Sequence, residues 1–500
     1  MMKQRKVVTS FLTFSEGADD PTGQGNRVLL FKRSNKVNTY KQHWAGISGG
    51  MEINDNSPLE RALIEIQEET TLSSSDIKLI RIGKPLNIRD ENNSIIWKVY
   101  PFLFHIKSDN ILKIKIDWEH ETFKWVNPKE LSSYNTVPNL LETFYRVYLP
   151  NNVHLGLIDM FTDRSSGAQQ LVNKALDIFS ETIENKSCHE YSQCSKDLYI
   201  NYLNIGWHLC EIRPNMKAST LYAIISIMQQ CKKSLDQNLS MDSFDNQVLN
   251  IIKTMKIFSN DSEQKINTNF ITALFPKFVN QSLHIMTMSY SSTIFSVLIN
   301  FIENYNQKAL KNLECSRTLT ITILESRPLN EGAILGQKLL SMLPQQDENI
   351  IIQIITDSSC NFFMPTVTHV LLGADRILGH NGTVINKIGS VPLALAAKHH
   401  GKPLYIVSRT DKILGEYDNE KIEENDSSEV TKIYGDQWKD NKNLLVRNVY
   451  FEKLESDLIT GYVTEVNSKL IMPKDIQNLW NERKSLESIF DDLEEEIQYP

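Results

Sequence analysis

Three glutamates, Glu65, Glu68 and Glu69, lie three and four positions apart in the segment from residue 49 to residue 72. Side chains at these spacings share one face of an α-helix, so the three carboxylates can converge. Clustered carboxylates favour a hard divalent cation such as Mg²⁺ or Mn²⁺. A cation held beside a diphosphate would support hydrolysis. The alternative is a solvated acidic helix face, and the spacing alone leaves both interpretations open.

A second group of acidic residues follows β-rich runs in the carboxyl-terminal half. Glu325 follows TLTITIL, Asp357 follows IIIQIIT and Asp375 follows HVLLGA. In open α/β sheets the ligand crevice lies at the carboxyl ends of the strands, so these acids predict one polar site. Asp357, which precedes two serines, also fits a helix N-cap.

The elements that would position the glutamates form an α/β pattern. β-rich runs at residues 6–14 and 27–32 precede the glutamate helix, and a longer one at 95–106 follows it. Turn residues near position 150 end this region. We therefore expect a first domain over residues 1–150.

The rest of the chain changes its periodicity. Residues 156–310 place apolar side chains at helical spacing, which predicts a helical region. From 313 to 475, short β-rich runs alternate with helical segments, which predicts a parallel sheet covered by helices. Residues 476–500 predict an acidic helical tail, in which we expect the run Asp491–Glu496 to be solvated.

The composition is that of a globular protein. The 500 residues are 41% hydrophobic and 23% charged, with a net charge of −8. No basic block occurs, so direct nucleic-acid binding is not expected. The six scattered cysteines do not suggest a disulfide scaffold. Without a signal peptide or a long apolar run, the expected location is the cytoplasm and no membrane association is predicted.

The glutamate segment resembles the Nudix box, the motif of a family of metal-dependent hydrolases. Gly50 fits the first glycine of the box, and the three glutamates fit in register. Three positions carry residues other than the Glu, Arg and Gly of the motif, and these are Asn56, Ile64 and Thr71.

The resemblance implies a site and a fold. The metal ligands would be the three glutamates, the carbonyl of Gly49, and Glu119 or Glu121 from the WEHETFKWV segment. One of the glutamates would also activate water as a general base. The missing arginine normally orients the carboxylates, and losing such support costs ~10–100-fold in affinity or activity. The implied fold is an α/β/α sandwich with a mixed sheet.

The carboxyl-terminal half resembles a second family. The segments GADRI (373–377) and NGTVINKIGS (381–390) are similar to the group that joins initiation factor 2B subunits with methylthioribose-1-phosphate and ribose-1,5-bisphosphate isomerases. The resemblance implies a helical subdomain followed by a Rossmann-like parallel-sheet domain. It also implies a homo-oligomer and a phosphorylated small-molecule ligand.

The isomerases of this group pair a cysteine with the aspartate that matches Asp375. Ser289 stands at the cysteine position here, and a serine hydroxyl cannot be tuned towards neutral pKa as a thiol can. The resemblance implies a catalytic role for Asp375. The residues that would bind the ligand are Arg164, Arg213, Ser289, Arg327, Asn386 and Lys387.

Three functions remain open from the sequence. The first is a hydrolase of a nucleoside-diphosphate-linked substrate, fused to a domain that binds a phosphorylated sugar or nucleotide. The second is a catalytically degraded regulatory or assembly protein related to translation initiation. The third is a sugar-phosphate isomerase that works without the cysteine. We expect the first.

Overall fold

The structure is a computed structural model. It describes residues 2–16, 24–91, 94–163, 166–237, 239–275, 282–311, 318–343, 349–415, 424–435 and 443–498. Within these ranges, no helix combines the length and apolar character that a membrane crossing requires.

The amino-terminal part is built around a mixed sheet. Its strands are β1 (Lys3–Phe14), β2 (Arg27–Arg33), β3 (Trp44–Ala45), β4 (Ile47–Gly50), β5 (Ile77–Ile82), β6 (Leu86–Asp90), β7 (Ile95–Ile106) and β8 (His120–Val126). β1 lies parallel to β7 and antiparallel to β2 and β4. β8 pairs with β2, and β5 and β6 pair with β7.

Helices cover both faces of this sheet. Helix α1 (Pro58–Thr70) packs on one face through Ala62 and Ile66, which contact Leu29 and its neighbours. Helix α2 (Leu140–Tyr145) packs on the other face, in a cluster with Leu30. Adjacent residues of one strand therefore enter different cores, as strand alternation requires. The expected α/β/α sandwich with a mixed sheet is confirmed.

A helical region follows. Its helices are α3 (Asn151–Thr162), α4 (Ala168–Glu184), α5 (Ser195–Glu211), α6 (Lys217–Lys232) and α7 (Met241–Leu274). Their apolar faces form one core, in which Phe179, Tyr202 and Phe244 are fully buried. This region carries the helical subdomain expected from the sequence.

The next region is a parallel sheet flanked by helices. Its strands are β9 (Leu283–Met288), β10 (Leu319–Leu324), β11 (Ile350–Ile355), β12 (His369–Leu372), β15 (Leu404–Val407) and β18 (Gly461–Val463). The strand order is β11-β10-β9-β12-β15-β18, and every pairing is parallel. The helices are α8 (Ser292–Lys311), α9 (Glu331–Met342), α10 (Cys360–Phe363), α11 (Ser390–His399), α12 (Ser428–Thr431) and α13 (Ile476–Asn481). The expected Rossmann-like architecture is present.

A small second sheet lies beside the parallel one. It contains β13 (Arg376–Leu378), β14 (Val384–Lys387), β16 (Ile413–Leu414) and β17 (Phe451–Leu454). This sheet could not be anticipated from the sequence, because strands of two to four residues are too short to show a period. Residues 156–310 were expected to form a helical region, yet β9 lies within that range and is central to the parallel sheet.

The tail at 476–500 differs from the expected solvated helix. After α13, a 3-10 helix spans Lys484–Glu494, and β19 (Glu496–Gln498) then pairs parallel to β6 of the amino-terminal sheet. Glu494 lies 2.7 Å from Lys98 Nζ and 3.0 Å from Lys84 Nζ. The tail therefore packs against the amino-terminal domain through ion pairs and through the pairing of β19 with β6.

Candidate functional site

Helix α1 presents its glutamates unequally. Ser57 caps the helix, since its Oγ accepts a hydrogen bond from the Glu60 N–H at 3.2 Å. Glu65 and Glu69 are buried on the side that faces the sheet, whereas Glu68 is exposed. Two of the three carboxylates are therefore shielded from water and the third faces solvent.

Glu65 lies directly against the backbone of β4. A Cβ atom at Gly49 would lie 1.6 Å from Glu65 Oε1. Only glycine leaves room for this carboxylate, so the glycine whose carbonyl was expected to bind metal is in contact with the first glutamate. The structure brings together this expected pair.

Glu69 is the most buried of the three glutamates, with 4% of its surface exposed. Burial raises the pKa of Glu69 well above its usual value, and the nearby carboxylates of Glu65, Glu119 and Asp117 raise it further. Within the described part of the chain, Glu69 Oε2 has no hydrogen-bond partner, and it lies 3.5 Å from His120 Nε2. A buried acceptor atom without a donor fits a cation.

Of the two acidic candidates beyond the helix, Glu119 is the one near the triad. Burial raises the pKa of Glu119, and so do the charges of Asp117 and Glu68. Glu121 makes other contacts, accepting a hydrogen bond from Gln42 Nε2 at 2.6 Å. Of the two residues that the sequence left as alternatives, Glu119 thus lies near the glutamates of α1, and Glu121 contacts Gln42.

Arg61 is a site residue that the sequence analysis missed. Its Nη2 and Nε lie 2.5 and 2.7 Å from Glu65 Oε1. With Ile64 at the arginine position of the motif, this support for the carboxylates was expected to be lost. The signal that could have revealed Arg61 is its spacing of four residues from Glu65. His120 was also missed, because its contact with Glu69 joins distant parts of the sequence.

The α1 glutamates do not form a tight cluster. In the part of the chain that the structure describes, the set His189, Asp242 and Asp245 alone brings three ligand atoms within 4.8 Å of one another. These side chains already pair with other protein groups, because His189 Nε2 lies 2.7 Å from Asp245 Oδ2, and Lys186 Nζ lies 2.7 Å from Asp242 Oδ1.

The second site lies where β12 and β14 end. Burial raises the pKa of Asp375, and the charges of Lys412, Lys387 and Arg213 oppose this shift. Asp375 follows β12 and Lys387 ends β14, so the two sheets bring the acid and the lysine together. Three of the predicted residues, Asp375, Lys387 and Arg213, are therefore neighbours.

Ser289 and Lys387 share an acidic partner that the sequence analysis missed. Glu331 Oε2 lies 2.8 Å from Lys387 Nζ and accepts a hydrogen bond from Ser289 Oγ at 3.2 Å. Lys387 Nζ also lies 4.1 Å from the centre of the Tyr450 ring. Glu331 is the first residue of helix α9, and no pattern in the sequence pointed to its contact with Lys387.

Other predicted residues make structural contacts. Arg327 donates from Nη2 to the Val430 carbonyl at 3.2 Å, and Asn386 donates from Nδ2 to Ser390 Oγ at 2.9 Å. Arg164 lies outside the described residues. Asp357 does not cap its own helix, since its carboxylate accepts from the backbone N–H of Ser326 at 2.8 Å and holds the loop after β10.

Known proteins match both halves of the chain. The model of the initiation factor 2 subunit family matches residues 164–467, and that of the NUDIX domain matches residues 19–148. The methylthioribose-1-phosphate isomerase of Trichoplax adhaerens is 32% identical over 194 residues, which are 38% of this chain and 49% of that protein. The putative methylthioribose-1-phosphate isomerase of Methanothermobacter thermautotrophicus is 38% identical over 154 residues, 30% of this chain and 47% of that protein.

The chain spans about half the length of these known relatives. Among solved structures, the translation initiation factor eIF-2B of Pyrococcus horikoshii aligns with a TM-score of 0.49 and 20% identity, over 66% of this chain and 100% of that one. The initiation factor match covers more than half of the 500 residues. The protein belongs to the initiation factor 2 subunit family and carries a NUDIX domain in its amino-terminal part.

Proposed function

We propose that the NUDIX domain hydrolyses a nucleoside-diphosphate-linked substrate with the help of a divalent metal ion. The observation that carries this proposal is the buried carboxylate of Glu69, whose Oε2 lacks a hydrogen-bond partner among the described residues. The neighbouring contact between Glu65 and Gly49 supports it, because it places a second carboxylate against the backbone of β4.

The residues that would hold Mg²⁺ or Mn²⁺ are Gly49, through its carbonyl, and Glu65, Glu68, Glu69 and Glu119. When bound, such an ion polarises a phosphoryl oxygen and makes bound water more acidic. Arg61 fixes the orientation of Glu65 by its two contacts. Glu68 is the exposed member of the triad, so water reaches it and it can accept a proton as general base.

The test is turnover by the full-length protein against a panel of nucleotide sugars and dinucleotides, with Mg²⁺ or Mn²⁺. Glu69→Gln and Glu119→Gln should each lower turnover at least about tenfold and weaken Mn²⁺ binding measured by calorimetry. Glu121→Gln is the matched control and should retain both. Absence of metal-dependent turnover, or equal losses in Glu119→Gln and Glu121→Gln, would contradict the proposal.

A second function is proposed for the family half, namely binding of a phosphorylated sugar or nucleotide. The observation that favours it is Asp375, a buried acid among the cationic side chains of Lys387, Lys412 and Arg213. The relatives named methylthioribose-1-phosphate isomerase point to sugar phosphates as the ligand class. With Ser289 in place of the thiol, binding is the expected activity and isomerisation the alternative.

Calorimetry with methylthioribose-1-phosphate and ribose-1,5-bisphosphate tests this second function. Binding that weakens in Asp375→Asn and Arg213→Ala supports a ligand pocket, and no binding to either compound contradicts it. Detection of the ketose product would favour the isomerase. Binding without product would favour the regulatory or assembly protein, including one that works in translation initiation.

We also propose that the family half assembles with itself. β11 is an edge strand of the parallel sheet and exposes Ile351 and Ile354, at 48% and 45%. Helix α9 beside it exposes Leu340 and Met342. An apolar edge of this kind is suited to contact with another chain, which light scattering would detect.

The cysteines within the described residues are free thiols, which agrees with the cytoplasmic location that we propose.

A further inference from the structure

We propose that Glu331 limits the affinity of the family half for anionic ligands, because its carboxylate competes with them for Lys387 and Ser289. This inference rests on the proposed ligand pocket. In addition, the carboxylate of Glu331 already occupies the ammonium group of Lys387, and a ligand phosphate must displace it.

The geometry gives Glu331 the contacts that a phosphate oxygen would make. A single oxygen, Oε2, lies 2.8 Å from Lys387 Nζ and 3.2 Å from Ser289 Oγ. Lys387 is 6% exposed, and its ammonium group also lies on the Tyr450 ring. These contacts and the burial of Lys387 leave little of the ammonium surface accessible to another partner. An anion that approaches Lys387 must therefore take the place of the Glu331 carboxylate or meet its charge at close range.

The backbone keeps Glu331 in this position. Glu331 is the first residue of α9, and the next residue, Gly332, packs on the end of β10. A Cβ atom at Gly332 would lie 1.8 Å from the Leu324 carbonyl oxygen, and the Gly332 N–H donates to the Glu325 carbonyl at 3.1 Å. The start of the helix is thus fixed against the strand. Rotation of the Glu331 side chain can therefore release Lys387 without movement of the helix.

The cavity beside Glu331 adds further negative charge. It measures about 590 Å³, and its lining includes Asp159, Asp163, Lys174 and Glu331. Lys174 Nζ lies 2.7 Å from a carboxylate oxygen of each aspartate, so its charge is already balanced. Among the described residues that line this cavity there are three carboxylates and one lysine, a balance of charge that disfavours an anionic ligand.

Glu331→Gln tests the inference because glutamine keeps an acceptor oxygen for Lys387 and Ser289 while removing the charge. We expect the variant to bind methylthioribose-1-phosphate and inorganic phosphate at least about tenfold more tightly than the parent, since a like charge at this range is removed. Adding Lys387→Met should cancel the gain. Asp457→Asn, which removes a carboxylate from an exposed ion pair with Lys398, is the matched control and should leave affinity unchanged.

Calorimetry on the full-length protein gives the affinities, and thermal unfolding confirms that each variant is folded. Parent binding that Glu331→Gln leaves equal or weaker would overturn this inference and leave the ligand pocket standing. A tightening that persists with Lys387→Met would also overturn it. If neither the parent nor Glu331→Gln binds either probe, the pocket proposal fails and this inference fails with it.

Discussion

Arg61 holds Glu65 through two nitrogen contacts with one oxygen, from a position one helical turn earlier. The planar guanidinium fixes the carboxylate in a way that a single ammonium cannot. The orientation of Glu65 against Gly49 therefore depends on a residue outside the positions that define the motif.

Replacing Arg61 tests this dependence. We expect Arg61→Ala to lower metal-dependent turnover and Mn²⁺ affinity by roughly 10–100-fold, as for other residues that orient metal ligands. Arg61→Lys should give an intermediate loss of turnover and affinity, because it keeps the positive charge but lacks the several N–H donors of the planar guanidinium. Arg27→Ala, which breaks an exposed pair with Glu16, serves as the control. Equal values for Arg61→Ala and the control would show that Glu65 needs no such support.

The three glutamates could be identified from their spacing, but the different environments of their side chains could not be predicted. Which face of a helix meets the sheet depends on the strands it packs on, and this buries Glu69 while leaving Glu68 exposed. The partners His120 and Glu331 could not be predicted, because strand β8 and helix α9 bring them into contact with residues far away in the chain. Local patterns carry no information about such contacts.

At the scale of elements, helix α1 ends in an unfavourable way. Thr71 at its C-cap has φ of 64°, in the left-handed region that favours glycine. A β-branched residue there is strained by roughly 1–2 kcal/mol. Its Oγ1 recovers part of this cost by donating to the Lys113 carbonyl at 3.0 Å.

Thr71→Gly should therefore stabilise the NUDIX domain, by roughly 0.5–1 kcal/mol after the lost hydrogen bond and the greater freedom of the unfolded chain are counted. Chemical denaturation of the full-length protein measures the change. Thr71→Ala keeps the left-handed strain and loses the hydrogen bond, so it should be destabilising. A loss of stability in Thr71→Gly would show that the contact with Lys113 outweighs the strain.

Elements with a strong period were predictable, and short or mixed ones were not. Helix α4 and strand β10 appear where their apolar patterns indicate. β9 was missed because its LHIMTM sequence has few β-branched residues, and the tail was misread because its charges suggested solvent. The last strand of the tail, β19, pairs with β6, which lies about 400 residues earlier in the chain, so no local pattern could predict it.

At the scale of the whole molecule, His208 makes the contact between the two halves sensitive to acid. Its Nε2 donates to the Arg146 carbonyl at 2.8 Å, in a buried position. Burial, with the charge of Arg81 beside it, lowers the pKa of His208 to about 3. The unfolded chain, with a pKa of about 6.5, therefore binds a proton that the folded protein excludes.

This difference fixes the sign of the pH dependence. Stability from His208 is complete above pH ~6.5 and is lost progressively as the pH falls towards the folded pKa. We expect the unfolding temperature of the parent to fall below pH ~6.5 more steeply than that of His208→Gln, by a slope equivalent to about one proton. Calorimetric scans across this range provide the measurement. Parallel pH profiles for the two proteins would contradict the assignment.

The tail couples the NUDIX domain to the family half through Glu494. Its carboxylate lies near Lys84 and Lys98, all three being partly buried, and Arg146 Nη2 donates to the adjacent Leu493 carbonyl at 3.0 Å. We expect Glu494→Gln to destabilise the protein by about 1–2 kcal/mol, because two charge-assisted contacts at a partly buried position are weakened. The control is Asp491→Asn, whose side chain is 75% exposed and 3.8 Å from Lys84. Similar unfolding temperatures for the two variants would show that the Glu494 ion pairs add nothing to the coupling of the halves.

The pairing of β19 with β6 also governs how the molecule can be dissected. Glu496, Ile497 and Gln498 align with Asn87, Ile88 and Arg89, and so cover the edge of a sheet whose other strands all lie at the opposite end of the chain. A fragment cut at residue 150 would expose backbone donors and acceptors along β6 and tend to associate through them. A synthetic peptide covering 484–498 should restore the fragment by strand complementation, in the manner of peptides that add to an open sheet edge.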